Sequence, residues 1–266
     1  MASADFGHQT LLADVAKLLG EAAQVLEQTW GQGAQVRHKG PADLVTDTDL
    51  AVQRFLIPRL RALLPGSVVL AEEEGQVPTA TDRPCWVVDP VDGTSNLVHG
   101  FRYVAISVAL SDAQGPILGG VHDVFAGRLY TAWRAHGAWV DGTPMHGSSV
   151  TSLSDALVAC GTPYDKSTPA AVFAPIAQVW QACHDLRVPG AAALELAQLA
   201  EGRLDAFFEA DLQPWDFAAG CLLVTESGGQ VTDWAGRGRT LQRGTIVAAN
   251  RRLHRQLLDI LTPTEP

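Results

Sequence analysis

An apolar run of strand length, Cys85-Trp86-Val87-Val88, breaks off into Asp89-Pro90-Val91-Asp92-Gly93-Thr94-Ser95-Asn96. A chain seeking only a core does not place two carboxylates at the end of such a strand. Pro90 fixes the backbone between Asp89 and Asp92, so the turn can aim two carboxylates and one backbone carbonyl at a common centre. Clustered carboxylates repel unless a cation neutralises them. Carboxylate, carbonyl and water ligands suit Mg²⁺, Mn²⁺ or Ca²⁺ rather than zinc. Gly93 to Asn96 then offer backbone N–H groups that can bind phosphate oxygens, with a glycine that permits close approach. Metal ligands beside an oxyanion cradle are what phosphoryl transfer to water requires.

Three other segments are acidic where an apolar pattern begins or ends. Asp43-Leu-Val-Thr46-Asp47-Thr48-Asp49 opens a helical pattern, Glu72-Glu73-Glu74 follows an apolar strand, and Trp215-Asp216 opens an apolar helix. Taken singly, each acidic segment, that of the first turn included, has an ordinary explanation: an N-cap or first-turn acid, a solvated strand end, or an Asp-Gly turn at Asp92-Gly93.

The 266 residues correspond to one large domain or two small ones. Leu11, Leu12, Val15, Leu18, Leu19, Ala22 and Leu26 recur with the helical period over 8–30, stopped by Gly31 and Gly33. A second helix is expected from about Thr48 to Leu64, kinked or broken by Pro58. From 67 to 142, short β-rich runs separated by glycine turns predict a mostly antiparallel sheet. Beyond about 150, strands at 156–161, 205–209 and within 230–250 alternate with helices at 168–184, 191–202, 214–229 and 250–262. The reading is an α/β (α+β) chain. Its N-terminal half, 1–150, carries most of the candidate metal ligands, and a closely packed α/β half, 151–266, closes the site.

Lys+Arg total 19 and Asp+Glu 29, a formal charge of −10, so no nucleic-acid partner is expected. No run reaches the length of a membrane span, and the N-terminus lacks the basic and apolar regions of a signal peptide. Cys85, Cys160, Cys183 and Cys221 form no CxxC pair; reduced thiols in a cytoplasmic protein are the simplest expectation. The eight histidines show no ligand spacing, and no Walker, Gly-x-Ser-x-Gly or HExxH motif is present.

Taken together, these segments resemble the inositol monophosphatase family. WVVDPVDGTSNLVHGF (86–101) is similar to its Asp-Pro-x-Asp-Gly-Thr signature, and WDFAAGCLLVTESGG (215–229) to its second signature. DLVTDTD (43–49) and AEEEG (71–75) match its other acidic blocks, in the family's order, and the similarity runs from about 8 to 262. Ala71 stands where the family often has Gly, Glu74 is an extra acid, and Lys39 fits the lysine that precedes the first block. The resemblance implies a layered αβαβα sandwich of the inositol monophosphatase and fructose-1,6-bisphosphatase type. It implies a lithium-sensitive phosphomonoesterase using two to three Mg²⁺ ions, with Mn²⁺ as an alternative, and a homodimer. It also implies roles. Glu72, Asp89 and the Val91 carbonyl would hold one ion, Asp89, Asp92 and Asp216 a second, with a weaker third near Glu72. Thr94, oriented by Asp49, would help Glu72 activate water, and the Gly93 and Thr94 N–H groups would cradle phosphate.

For the alcohol side, Val188-Pro189-Gly190-Ala191-Ala192 matches a pocket-lining family segment, with Ala191 in place of its usual hydroxyl residue. Asp92, Gly190, Ala192, Glu209 and Arg187 are the candidate substrate contacts, Arg187 alternatively bracing the helix that follows. A carboxylate at Glu209 accepts hydrogen bonds from hydroxyls and repels a second phosphate. That favours a small polyol monophosphate such as inositol-1-phosphate. Histidinol phosphate and fructose-1,6-bisphosphate are the alternative substrates, and a mainly regulatory binding protein is the alternative of another class.

Overall fold

The computed structural model describes residues 2–40, 43–74, 83–238 and 240–262. Helix α1 (Ala2–Gly31) is followed by a short hairpin, β1 (Val36–His38) and β2 (Leu44–Thr46), and by helix α2 (Asp47–Leu63). The first large sheet comprises β3 (Val68–Ala71), β4 (Cys85–Asp92), β5 (Ala105–Asp112), β6 (Gly115–Asp123), β7 (Arg128–Trp133), β8 (Gly137–Val140) and β9 (Thr143–Pro144). These strands lie side by side in chain order; β3 and β4 run parallel and every other neighbour is antiparallel. The short helix α3 (Thr94–Val98) sits between β4 and β5.

The second sheet has the order β11-β10-β12-β14-β13, built from β10 (Leu157–Cys160), β11 (Asp185–Arg187), β12 (Ala206–Leu212), β13 (Gln230–Thr232) and β14 (Gly244–Ala249). Helices α4 (Pro169–Ala182), α5 (Ala192–Ala200), α6 (Pro214–Glu226) and α7 (Arg251–Leu261) complete the chain.

Side-chain alternation stacks these elements into five layers. On one face of the first sheet, Trp86, Val88, Ile106 and Val108 pack against Val15, Leu19 and Leu26 of α1 and Val52, Leu56 and Leu60 of α2. On its other face, Val87, Ala105, Ala109 and Val121 meet Leu196 of α5 and Phe217 and Leu222 of α6. Phe207, Ile246 and Ala248 of the second sheet cover the far side of the same helix pair. Phe208, Val247 and Ala249 point the opposite way, onto Val179 of α4 and Leu253 and Leu257 of α7. The result is the expected αβαβα sandwich. A strand buried on both faces reads as a continuous apolar run, which is why β4 is buried along its whole length. Helix α2 continues through Pro58 without the break that was one of the two outcomes expected there. Pro58 lies on the exposed face, so solvent can satisfy the carbonyl that loses its N–H partner. Among the described residues, no helix is long and apolar enough to cross a membrane.

Candidate active site

The acidic segments meet at the ends of elements belonging to different layers. Asp89 and Asp92 end β4, where the register with β5 shifts between them and frees the backbone to turn. Gly93 then takes a φ of 93°, and a Cβ there would lie 2.9 Å from the Tyr103 carbonyl and 3.2 Å from Ala191 Cβ, so only glycine fits. Its N–H and that of Thr94 stand at the start of α3, where a helix supplies no internal acceptor. Asn96 Nδ2 donates to the Tyr103 and Pro189 carbonyls, both at 2.9 Å, tying this turn to the loop before α5.

Helix ends position the remaining acids. Asp92 Oδ2 accepts from the Leu194 N–H at 3.1 Å, in the first turn of α5. Asp216 is the third residue of α6 and accepts from the Gln213 N–H at 2.7 Å, closing a capping box just before Pro214. Asp49 occupies the equivalent place in α2: it accepts from the Thr46 N–H at 2.9 Å and from Thr94 Oγ1 at 2.8 Å. Thr94 Oγ1 also lies 3.0 Å from the Val91 carbonyl. Glu72 follows β3, and Lys39, in the turn of the β1–β2 hairpin, reaches Glu72 Oε1 at 2.7 Å and Glu73 Oε1 at 2.9 Å. The side chain of Glu74 and all of Gly75, parts of the second acidic block, lie outside the described residues.

Lys39, Glu72, Asp89, Val91, Asp92, Gly93, Thr94 and Asp216 line one cleft of about 470 Å³, together with Gly161, Tyr164, Lys166, Gly190, Ala192, Glu209 and Arg243. Its electrostatics are strongly negative. Burial pushes the Asp89 carboxyl well above its ordinary range, and Glu72, Asp92 and Asp216 push it further. Burial raises Asp92 to about 7 against the pull of the Leu194 N–H. It raises Glu72 to about 7 although Lys39 opposes the shift. Asp216 is likewise held high by burial, opposed by the Gln213 N–H and reinforced by Glu72 and Asp92. Glu209 is raised by burial and by Glu195.

Among the described residues, no group of three His, Cys, Asp or Glu side chains is arranged so that it could hold a metal ion as it stands. The donor set nevertheless fits hard divalent cations: buried carboxylates that repel one another and face an open cleft, where a bound cation would offset their charge.

Of the residues singled out in the sequence, the cleft gathers Glu72, Asp89, Val91, Asp92, Gly93, Thr94, Gly190, Ala192, Glu209 and Asp216, with Asp49 behind Thr94. Arg187 is not among its lining residues. As the last residue of an edge strand it turns outward, bonding Asp185 and the Leu186 carbonyl. Gly161, Tyr164, Lys166 and Arg243 were not foreseen. The available signal was topological, since ligands in α/β sheets gather beyond the carboxyl ends of parallel strands, and Gly161 directly follows β10.

An acidic cleft edged by backbone N–H groups at a helix start is the equipment of a phosphoric monoester hydrolase. Comparison with known proteins narrows this class. The sequence pattern of the inositol monophosphatase family matches residues 8–263, and the chain belongs to that family. Members of the family are metal-dependent phosphatases, typically Mg²⁺-dependent and lithium-sensitive. The chain is similar to the Nus factor SuhB of Escherichia coli (strain K12), 36% identical over 225 residues that cover 84% of each chain. It is also similar to the inositol-1-monophosphatase of Rhizobium meliloti, 36% identical over 255 residues covering 94% of this chain and 96% of that one. The crystal structure of the extragenic suppressor protein suhB from Bartonella henselae superposes with a TM-score of 0.90 at 31% identity, covering 96% of this chain and 100% of the other.

Proposed function

We propose that this protein is a Mg²⁺-dependent phosphomonoesterase acting on a small polyol monophosphate such as inositol-1-phosphate. The observation that carries the reading is the convergence of Glu72, Asp89, Asp92 and Asp216 on one cleft beside the Gly93–Thr94 turn. In this reading Glu72, Asp89 and the Val91 carbonyl hold one Mg²⁺, Asp89, Asp92 and Asp216 hold another, and a third binds near Glu72. Bound there, the ions would supply phosphate charge neutralisation, a nucleophilic water and leaving-group stabilisation. The chain's own groups do the rest. The Gly93 and Thr94 N–H groups donate to phosphate oxygens. Thr94 Oγ1, held by Asp49, orients the attacking water, and Glu72 takes its proton. Gly190 and Ala192 form the wall on the alcohol side, and Glu209 accepts from the alcohol's hydroxyls.

Phosphate release with and without Mg²⁺ tests this, across inositol-1-phosphate, histidinol phosphate, fructose-1,6-bisphosphate and adenosine 3′,5′-bisphosphate. The expected result is Mg²⁺-dependent turnover led by the inositol ester. No turnover of any ester by folded protein overturns the reading.

The similarity to proteins named Nus factor SuhB favours a second reading, a binding role on the same scaffold. Alanine at Asp49, Glu72, Asp89, Asp92, Thr94 and Asp216 separates the two, because a binding role survives those changes and hydrolysis does not.

A further inference from the structure

We propose that Gly161 is a positioning residue that seats the Glu209 carboxylate, and thereby selects phosphate esters whose carbon skeleton carries vicinal hydroxyl groups. This rests on the polyol-phosphatase reading above.

Strands β10 and β12 run parallel with Cys160 opposite Phe208. Gly161, the residue just past the end of β10, and Glu209, in the middle of β12, are the next residues along after that pair, and both line the cleft. A Cβ on Gly161 would fall 2.2 Å from Glu209 Oε1, 2.3 Å from its Cδ and 2.3 Å from Oε2. Near-equal distances to all three atoms mean that the carboxylate lies face-on against the bare Cα. Acceptor directions of a carboxylate lie close to its plane, so both oxygens present them edgewise, past the glycine. Glu209 is 9% exposed, and among the described residues no hydrogen-bond donor reaches its carboxylate. Its oxygens are therefore left for a ligand, and two coplanar acceptors match two adjacent hydroxyls.

The backbone does not require glycine at this position, because Gly161 is absent from the positive-φ residues. What requires it is the space occupied by the carboxylate. The group that an alanine would strike is also the far end of a flexible side chain. At Gly119, by contrast, a Cβ would meet the Ala219 backbone carbonyl at 2.9 Å. Alanine at 161 thus displaces Glu209 and leaves the sheet in place.

The test compares kcat/KM for inositol-1-phosphate with kcat/KM for p-nitrophenyl phosphate, whose leaving group carries no further hydroxyl. It uses wild type, Gly161→Ala, Glu209→Gln and the double variant, all with Mg²⁺. The ratio of the two values is expected to fall about tenfold in each single variant, the scale of one lost charged hydrogen bond, and no further in the double variant. Glu209→Asp placed in the Gly161→Ala background withdraws the carboxyl from the new methyl and recovers part of the ratio, which relief of a general packing defect would not do. A ratio unchanged in Gly161→Ala but lost in Glu209→Gln overturns the inference and leaves the polyol reading intact. Equal loss on both esters in Gly161→Ala overturns it as well. A wild-type protein with no preference for the inositol ester overturns the polyol reading itself.

Discussion

Thr94 Oγ1 lies 2.8 Å from Asp49 Oδ1, a buried hydrogen bond between residues 45 apart in sequence. It joins the turn after β4 to the first turn of α2, so two layers of the sandwich set the direction of one hydroxyl. Asp49 is itself fixed by the Thr46 N–H, which leaves it little freedom to follow a misplaced Thr94. Thr94→Ala is expected to lower kcat by about 10²- to 10⁴-fold, the usual contribution of a positioned proton-transfer group, with a much smaller change in KM. Thr94→Ser, which keeps the hydroxyl, should retain most of the activity. Steady-state kinetics on the preferred ester decide the point; a Thr94→Ala kcat within tenfold of wild type removes Thr94 from the chemistry.

Adjacent glycines in β6 predict unequal costs. A Cβ on Gly119 would meet the Ala219 carbonyl at 2.9 Å, in the backbone of α6, whereas one on Gly120 would meet Leu19 Cδ1 at 2.5 Å. Backbone cannot move aside, but a leucine methyl can change rotamer. Gly119→Ala should therefore cost about 1–3 kcal/mol, the usual range for overpacking, and Gly120→Ala less. Urea unfolding of the two variants provides the comparison, and an equal or reversed order would show that helix α6 shifts more readily than Leu19.

Those two glycines also mark where sequence reasoning stops. The run 115–125 reads as a strand, but nothing in its pattern distinguishes glycines that end strands from glycines that let helices approach both faces of a sheet. Asp89 and Asp92 were legible because they break off an apolar strand, where burial of a carboxylate needs a reason; Asp216 opens an apolar helix, where a first-turn acid is ordinary, and only the family resemblance gave it a role. Lys39 was harder to place. It reaches Glu72 through a hairpin of two three-residue strands, and the first of these is exposed throughout, leaving no alternation to detect. The Gly161–Glu209 contact depends on β10 pairing in parallel with β12, a tertiary choice that periodicity does not encode. The hydroxyl-bearing and basic residues at the mouth, Tyr164 and Lys166, lie on a stretch with no regular structure and hence no period at all.

Arg187 provides a check on the cleft boundary. Its side chain is 50% exposed and paired with Asp185, which is 47% exposed. Exposed pairs of this kind contribute little, so Arg187→Ala should leave stability almost unchanged. Because the guanidinium lies outside the cleft lining, kcat/KM for the preferred ester should stay within about twofold, the effect of an ordinary surface substitution. A tenfold rise in KM would instead mean that Arg187 swings inward when substrate binds.

The acidic cluster predicts how stability depends on pH and metal. Glu72 is raised from an ordinary 4.5 to about 7, Asp92 from 3.8 to about 7, and Asp89 and Asp216 are held well above 3.8. Burial is the first cause in all four. In the unfolded chain these groups ionise between about pH 4 and pH 5, while the folded protein keeps its protons to higher pH. The unfolded state therefore binds fewer protons through that window, and stability must fall as pH rises. Below the unfolded range the contribution is complete; by the time pH passes about 7, the share carried by Glu72 and Asp92 is lost. Mg²⁺ requires the ionised form, so its stabilising effect should grow over the same range. Thermal unfolding from about pH 5 to about pH 8, with chelator and with Mg²⁺, measures both trends, and the gap between the two curves should widen with pH. Asp89→Asn removes one of the mutually repelling carboxylates. It should flatten the chelator curve, shrink the Mg²⁺ increment and abolish turnover while the protein stays folded. A Mg²⁺ increment that is independent of pH, or equally large in Asp89→Asn, would place the ion's stabilising site elsewhere than this cluster.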